Sequence, residues 1–161
     1  MSLEEQIVDL LSEKGYTLTT AESCTAGMIA SRLVNVSGIS SVFMQGYITY
    51  SNESKKRLIG VSDESLSRYG AVSPQVAEEM ARGAATDAGC DVAISCTGIA
   101  GPGGGSEEKP VGLVYMGCFV KGKVTVIENH FSGSRQEVRE ASCEKALELL
   151  LNCLREEAGM K

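Results

Sequence analysis

The stretch from Tyr16 to Val34, YTLTTAESCTAGMIASRLV, changes character halfway along. Tyr16 to Ala21 is rich in threonine, whose branched Cβ suits a pleated surface, and reads as a strand. Cys24 to Val34 has helical composition, with Met28, Ile29 and Leu33 as its apolar positions. Residues 22–25 are then a strand-to-helix turn, the repeating unit of α/β domains.

The same alternation continues in both directions. Upstream, Ser2 and Glu5 have capping-box spacing, Leu3, Ile7, Leu10 and Leu11 follow at helical intervals, and Gly15 supplies the stop. Downstream, Val42 to Tyr50 is aromatic and β-branched, hence a strand, and the polar run Ser51 to Lys56 leads into a short helical stretch through Leu58. Ser73-Pro74 is a cap followed by proline at the first helical position, and Val76, Met80 and Ala84 carry that helix to Gly89. Asp91 to Cys96 is a short strand running into the glycine-rich loop Gly98 to Gly105. Val111 to Val120 and Lys123 to Phe131 form a hairpin around Lys121-Gly122. Leu147, Leu150, Leu151 and Leu154 mark a long closing helix that begins near Ser134.

These elements predict a three-layer α/β/α fold, a single domain over residues 1–161 with a mixed sheet that includes an antiparallel hairpin. Ligands of such sheets bind at the strand ends. The segments 22–25, 50–55 and 97–105 each follow a predicted strand and can converge there.

Composition narrows the partners. The chain has 161 residues, 43% hydrophobic, enough for one sizeable core. A formal charge of −6 argues against broad capture of nucleic acid. Its longest apolar runs are strand-sized and Met1 to Leu10 is acidic, which points away from membranes and secretion and toward the cytoplasm. Six cysteines lack C-x-x-C spacing, so reduced thiols are expected rather than disulfides or zinc. Five of them read as small buried hydrophobes; Cys24, in the turn, is the exception.

Chemistry has few starting points. The lone histidine, His130, ends an alternating strand far from any serine or cysteine motif. Ser23 stands where a helix N-terminus can stabilise an oxyanion, and either caps that helix or acts as a nucleophile. Cys24 is its rival. Without histidine, a serine needs another base, and a lysine of lowered pKa can serve. Lys55 and Lys56 follow the strand ending at Tyr50, whose hydroxyl could relay a proton. The loop Gly98 to Ser106 is either a flexible turn or a backbone cradle for phosphate. It is neither a P-loop nor a dinucleotide fingerprint. Ser142-Cys-Glu-Lys145 has S-x-x-K spacing but falls inside the closing helix, on what reads as a solvated face.

Taken together, Ala21-Glu-Ser-Cys-Thr-Ala-Gly27, Tyr50-Ser-Asn-Glu-Ser-Lys55 with Leu58-Ile-Gly-Val61, Gly70-Ala-Val-Ser73 and Thr97 through Gly112 resemble the CinA C-terminal domain family, nicotinamide-nucleotide amidohydrolases. The resemblance runs from about Leu3 to Leu154. It implies hydrolysis of the carboxamide of nicotinamide mononucleotide to nicotinate mononucleotide and ammonia, in pyridine-nucleotide salvage, with no metal and no organic cofactor. Ser23 is then the nucleophile, with Lys55 and Tyr50 assisting proton transfer. Cys24, Thr25, Thr97, Gly98, Gly101, Gly103, Gly104 and Gly105 line the nucleotide site, with Ser106 and Lys109 on the same loop.

Family members often carry a further N-terminal domain, for which 161 residues leave no room, so a stand-alone form is expected. A homo-oligomer is expected as well. The sequence departs from the family pattern at Ser54, usually alanine, and at Ala26, usually glycine. Ala26 is expected in the first turn of a right-handed helix, at no cost. A non-catalytic nucleotide-binding regulatory module is the alternative function.

Overall fold

The computed structural model describes residues 1–159; Met160 and Lys161 lie outside the described residues. Helix α1 (Leu3–Lys14) starts at a complete capping box between Ser2 and Glu5 and ends at Gly15 in the left-handed conformation. Strand β1 (Leu18–Glu22), helix α2 (Met28–Val34), a single 3-10 turn (Ile39–Ser41) and strand β2 (Phe43–Ile48) come next. Helices α3 (Asn52–Ile59), α4 (Asp63–Tyr69) and α5 (Pro74–Ala88) lead to β3 (Val92–Gly98). The hairpin of β4 (Leu113–Val120) and β5 (Lys123–His130) precedes the closing helix α6 (Arg135–Glu157).

The sheet runs in the order β2-β1-β3-β4-β5. Strand β1 lies parallel to both β2 and β3, while β4 and β5 are antiparallel additions. Every residue of β1 is buried, as a central parallel strand covered on both faces must be. On one face, α1, α2 and α6 pack through Ile7, Leu33 and Leu150 against Leu18, Ile94 and Met116. On the other, α3, α4 and α5 pack, with Val76 and Met80 meeting Ala21, Tyr47 and Ala93. This is the expected three-layer α/β/α arrangement with a mixed sheet.

Two expectations change. The segment Asp63–Tyr69 is a helix capped by Ser62, unread in the sequence because its seven residues bury no side chain and show no periodic stripe. The helix expected from Cys24 begins only at Met28, and residues 23–27 form a turn instead. Helix α3 sits unusually close to α5, where a Cβ at Gly83 would collide with the Ile59 carbonyl at the end of α3. That close approach seats α3 against α5, with Ile59 in the core, and sets which of its side chains point inward.

Candidate active site

Helix α3 is capped by Ser51, and its inner face buries two residues one turn apart, Lys55 and Ile59. Lys55 is only 1% exposed, and three oxygens surround its Nζ: the Thr49 carbonyl at 2.7 Å, Ser23 Oγ at 2.9 Å and the Tyr50 carbonyl at 3.3 Å. Burial pulls its pKa down from 10.5 to about 8, opposed by the charge of the nearby Cys24 when it is a thiolate. A neutral amine has two N–H donors and one lone pair. The two carbonyls can only accept, so the lone pair is left for Ser23, the one neighbour with a proton to give.

Ser23 directly succeeds β1, and its N–H donates to the Cys96 carbonyl at 3.0 Å. It does not cap α2, whose N-cap is Gly27. The physical reason is Glu22, which is fully buried. Its carboxylate accepts the N–H groups of Gly27 at 3.1 Å, Ile29 at 2.9 Å and Ala30 at 3.1 Å, so it occupies the positive end of α2 itself. The turn that lets Glu22 fold back puts Ala26 at φ +46°, in the left-handed region rather than in a helix.

The helix terminus is therefore not aimed at Ser23, but the turn offers its own donors. Among the described residues the Cys24 and Thr25 N–H groups donate to no protein acceptor. Arg139 of α6 donates to the Cys24 carbonyl at 2.9 Å and the Thr25 carbonyl at 3.3 Å. Ala26 N–H donates to the Ser23 carbonyl at 3.1 Å. In a trans peptide C=O and N–H point oppositely, so these contacts turn the Cys24 and Thr25 N–H groups away from Arg139 and the turn interior.

A cavity of about 270 Å³ opens beside this pair, at the carboxyl ends of the three parallel strands. Ser23, Cys24, Tyr50, Lys55, Thr97, Gly98, Gly101, Gly103 and Gly104 line it, together with Ala71, Val72, Ile99, Ala100 and Arg135. Thr97 Oγ1 donates to the Ala71 carbonyl at 2.9 Å. Among the described residues, the N–H groups of Ala100, Gly101, Gly103 and Gly104 have no protein acceptor, and no carboxylate lines the cavity. Arg135 donates to the Gly101 carbonyl at 2.8 Å and to Tyr50 Oη at 3.1 Å. The arrangement suits an anion.

The remaining sequence candidates lie elsewhere. Thr25 is buried behind the turn, its Oγ1 without a partner. Gly105 packs against Val111, and Ser106 Oγ accepts the Lys109 N–H at 3.0 Å. Lys109 donates through Nζ to the Tyr69 carbonyl, which fastens the loop to the end of α4. Tyr50, by contrast, lines the cavity rim, but it is 61% exposed, and Lys55 meets its carbonyl rather than its hydroxyl. His130 pairs with Glu128 on the exposed face of β5, outside the cavity. Ser142 is not on a solvated face: it is buried and donates to the Val138 carbonyl at 2.7 Å, while Lys145 points to solvent.

Glu22, Arg135 and Arg139 do not read as functional from the sequence. Glu22 stands in the quoted turn motif, but nothing local says that its carboxylate folds back on α2. The two arginines, one turn apart at the start of α6, carry the one available signal, a basic pair opening an otherwise acidic helix.

Fold and site together define an α/β domain with a buried lysine–serine pair at the strand ends, facing a glycine-rich loop. The chain belongs to the family described as the CinA C-terminal domain, whose model matches residues 1–154. It is 52% identical over 153 residues to a CinA-like protein of Kosmotoga olearia, covering 95% of this chain and 37% of that protein. It is 50% identical to a putative competence-damage inducible protein of Clostridium botulinum, covering 92% of this chain and 36% of that one. The chain thus spans little more than a third of the curated relatives it matches. Among solved structures, a competence/damage inducible protein from Agrobacterium tumefaciens superposes with a TM-score of 0.90 at 43% identity, covering 93% of each chain. A CinA superfamily protein from Enterobacter cloacae gives 0.91 at 35% identity, covering 94% of this chain and 90% of that one. No helix among the described residues is long and apolar enough to cross a membrane.

Proposed function

We propose that this chain hydrolyses the carboxamide of nicotinamide mononucleotide, giving nicotinate mononucleotide and ammonia, as a step of pyridine-nucleotide salvage. The observation that carries the reading is the 2.9 Å contact between Lys55 Nζ and Ser23 Oγ at the floor of the cavity. Lys55 as the amine takes the Ser23 proton while Oγ bonds to the carboxamide carbon. The carbonyl oxygen becomes an oxyanion, for which the Cys24 and Thr25 N–H groups are the nearest donors in sequence to the nucleophile. Lys55, now an ammonium, protonates the amide nitrogen and ammonia leaves. A water activated by Lys55 then cleaves the acyl ester and regenerates Ser23.

Arg135 and the free amides of the loop 100–104 supply the phosphate contacts. Tyr50 contributes its carbonyl to Lys55 and its hydroxyl, held by Arg135, to the cavity rim. Arg135 and the loop amides favour an anionic substrate, which is why the phosphate, and not the pyridine alone, is assigned as the handle.

The test is ammonia release by the purified chain from nicotinamide mononucleotide, nicotinamide riboside, nicotinamide and the dinucleotide. Turnover of the mononucleotide with at least a tenfold loss on removing its phosphate, about 1.4 kcal/mol, supports the reading. A mononucleotide that raises the melting temperature without releasing ammonia would make the chain a regulatory binding module instead.

A further inference from the structure

Cys24 Sγ and Cys96 Sγ are 3.8 Å apart and both buried, Cys24 at the cavity wall and Cys96 behind it on β3. The backbone between them is already tied, because Ser23 N–H donates to the Cys96 carbonyl at 3.0 Å. We propose that Cys24 and Cys96 are a redox modification site, a dithiol that a hydroperoxide entering the cavity oxidises to a disulfide beside the nucleophile.

Geometry assigns the two roles. Cys24 faces the cavity and can meet an oxidant, whereas Cys96 is wholly buried, does not line the cavity and has the Cys24 sulfur within 3.8 Å. The charges agree. The hydrogen bond from Cys96 holds the Cys24 thiol below its usual pKa, with Arg139 and Lys55 adding to the effect, while the same contact and burial push the Cys96 thiol well up. Cys24 is the attacking thiolate and Cys96 the resolving thiol.

With hydrogen peroxide, the Cys24 thiolate attacks one peroxide oxygen, an S–O bond forms, the O–O bond breaks, and the departing hydroxide takes up the proton that Cys24 released on ionising and leaves as water. The sulfenic acid on Cys24 is then attacked by the Cys96 sulfur, the S–S bond forms, and the hydroxyl leaves with the Cys96 proton as water. Two thiols and one peroxide become one disulfide and two waters. Of the other four cysteines, Cys118 and Cys153 also meet each other but border a separate cavity at the opposite end of the strands, away from Ser23, and neither Cys90 nor Cys143 lines the active cavity.

Bond formation closes the sulfur gap by about 2 Å. The movement falls on the residue next to Ser23 and on the strand that leads to Thr97. A shift of about 1 Å among reacting groups costs on the order of a hundredfold in rate.

The experiment treats the purified chain with one equivalent of hydrogen peroxide and maps its peptides before and after reduction. The expected product is a single cross-link between the peptides holding Cys24 and Cys96, absent in Cys96→Ser, and reversed by dithiothreitol. This readout is independent of any activity, so its outcome and that of the proposed reaction are separable. Where ammonia release is measurable, it falls about a hundredfold on oxidation and returns on reduction. Cys24 carried to the sulfinic acid without a cross-link in the wild-type chain, or a disulfide between other cysteines, would overturn the proposal.

Discussion

Lys55 Nζ lies 2.9 Å from Ser23 Oγ, and its other two partners are carbonyl oxygens that cannot give a proton. Turnover therefore tracks the free amine. The expected pH profile rises about tenfold per pH unit below the Lys55 pKa of about 8 and levels above it. A profile flat between pH 6 and about 8 would remove Lys55 from the role of base.

The same shift has a sign in stability. In the unfolded chain Lys55 keeps its ordinary pKa of 10.5, so between about 8 and 10.5 the unfolded state binds more protons than the folded one. Lys55 thus makes the fold more stable as pH rises through that window and contributes no slope below it. Urea unfolding from pH 7 to about 10.5 measures this, and Lys55→Met should lack the rise.

Glu22→Gln replaces one oxygen of a buried carboxylate that accepts three N–H groups with an amide donor facing those donors. A loss of about 2 kcal/mol is expected in urea unfolding. A neutral result would mean that α2 is capped by something else.

Ala26→Gly should stabilise the chain by about 1 kcal/mol, because a Cβ at φ +46° is strained and glycine carries none. The same unfolding assay decides it; a destabilised variant would show that the turn at Ala26 is unstrained.

Within the loop, two glycines should behave oppositely. Gly101 has φ +82° and a Cβ there would strike Val111, whereas a Cβ at Gly103 meets nothing within 4 Å. Gly101→Ala is expected to weaken mononucleotide binding by tenfold or more, about 1.4 kcal/mol, and Gly103→Ala to leave the melting temperature unchanged. Calorimetry on both variants separates a shaped cradle from a loose loop.

The layers of this fold are legible in the sequence because its signals are local. Ser2 with Glu5, Ser73-Pro74 with Gly89, and Ser134 mark helix ends, and Lys121-Gly122 marks the hairpin, in stretches whose hydrophobic period already agrees. The site is legible only as a set of residue types. That Lys55 turns inward depends on α5 seating α3, not on the polar string around it. The start of α2 escapes a local reading because a carboxylate from the preceding strand competes for its first amides, an interaction that composition does not encode. Arg135 reaches the cavity through the packing of α6 across the sheet, and its nearest cavity neighbours are 34 and 85 residues away in sequence.

Ser23 is the residue on which the proposed reaction depends. Ammonia release from nicotinamide mononucleotide, compared among wild type, Ser23→Ala and Cys24→Ala, tests it most directly. Ser23→Ala should lose about a thousandfold or more while Cys24→Ala keeps most of its turnover. Full turnover in Ser23→Ala with loss in Cys24→Ala would contradict the serine mechanism and give the reaction to the thiol.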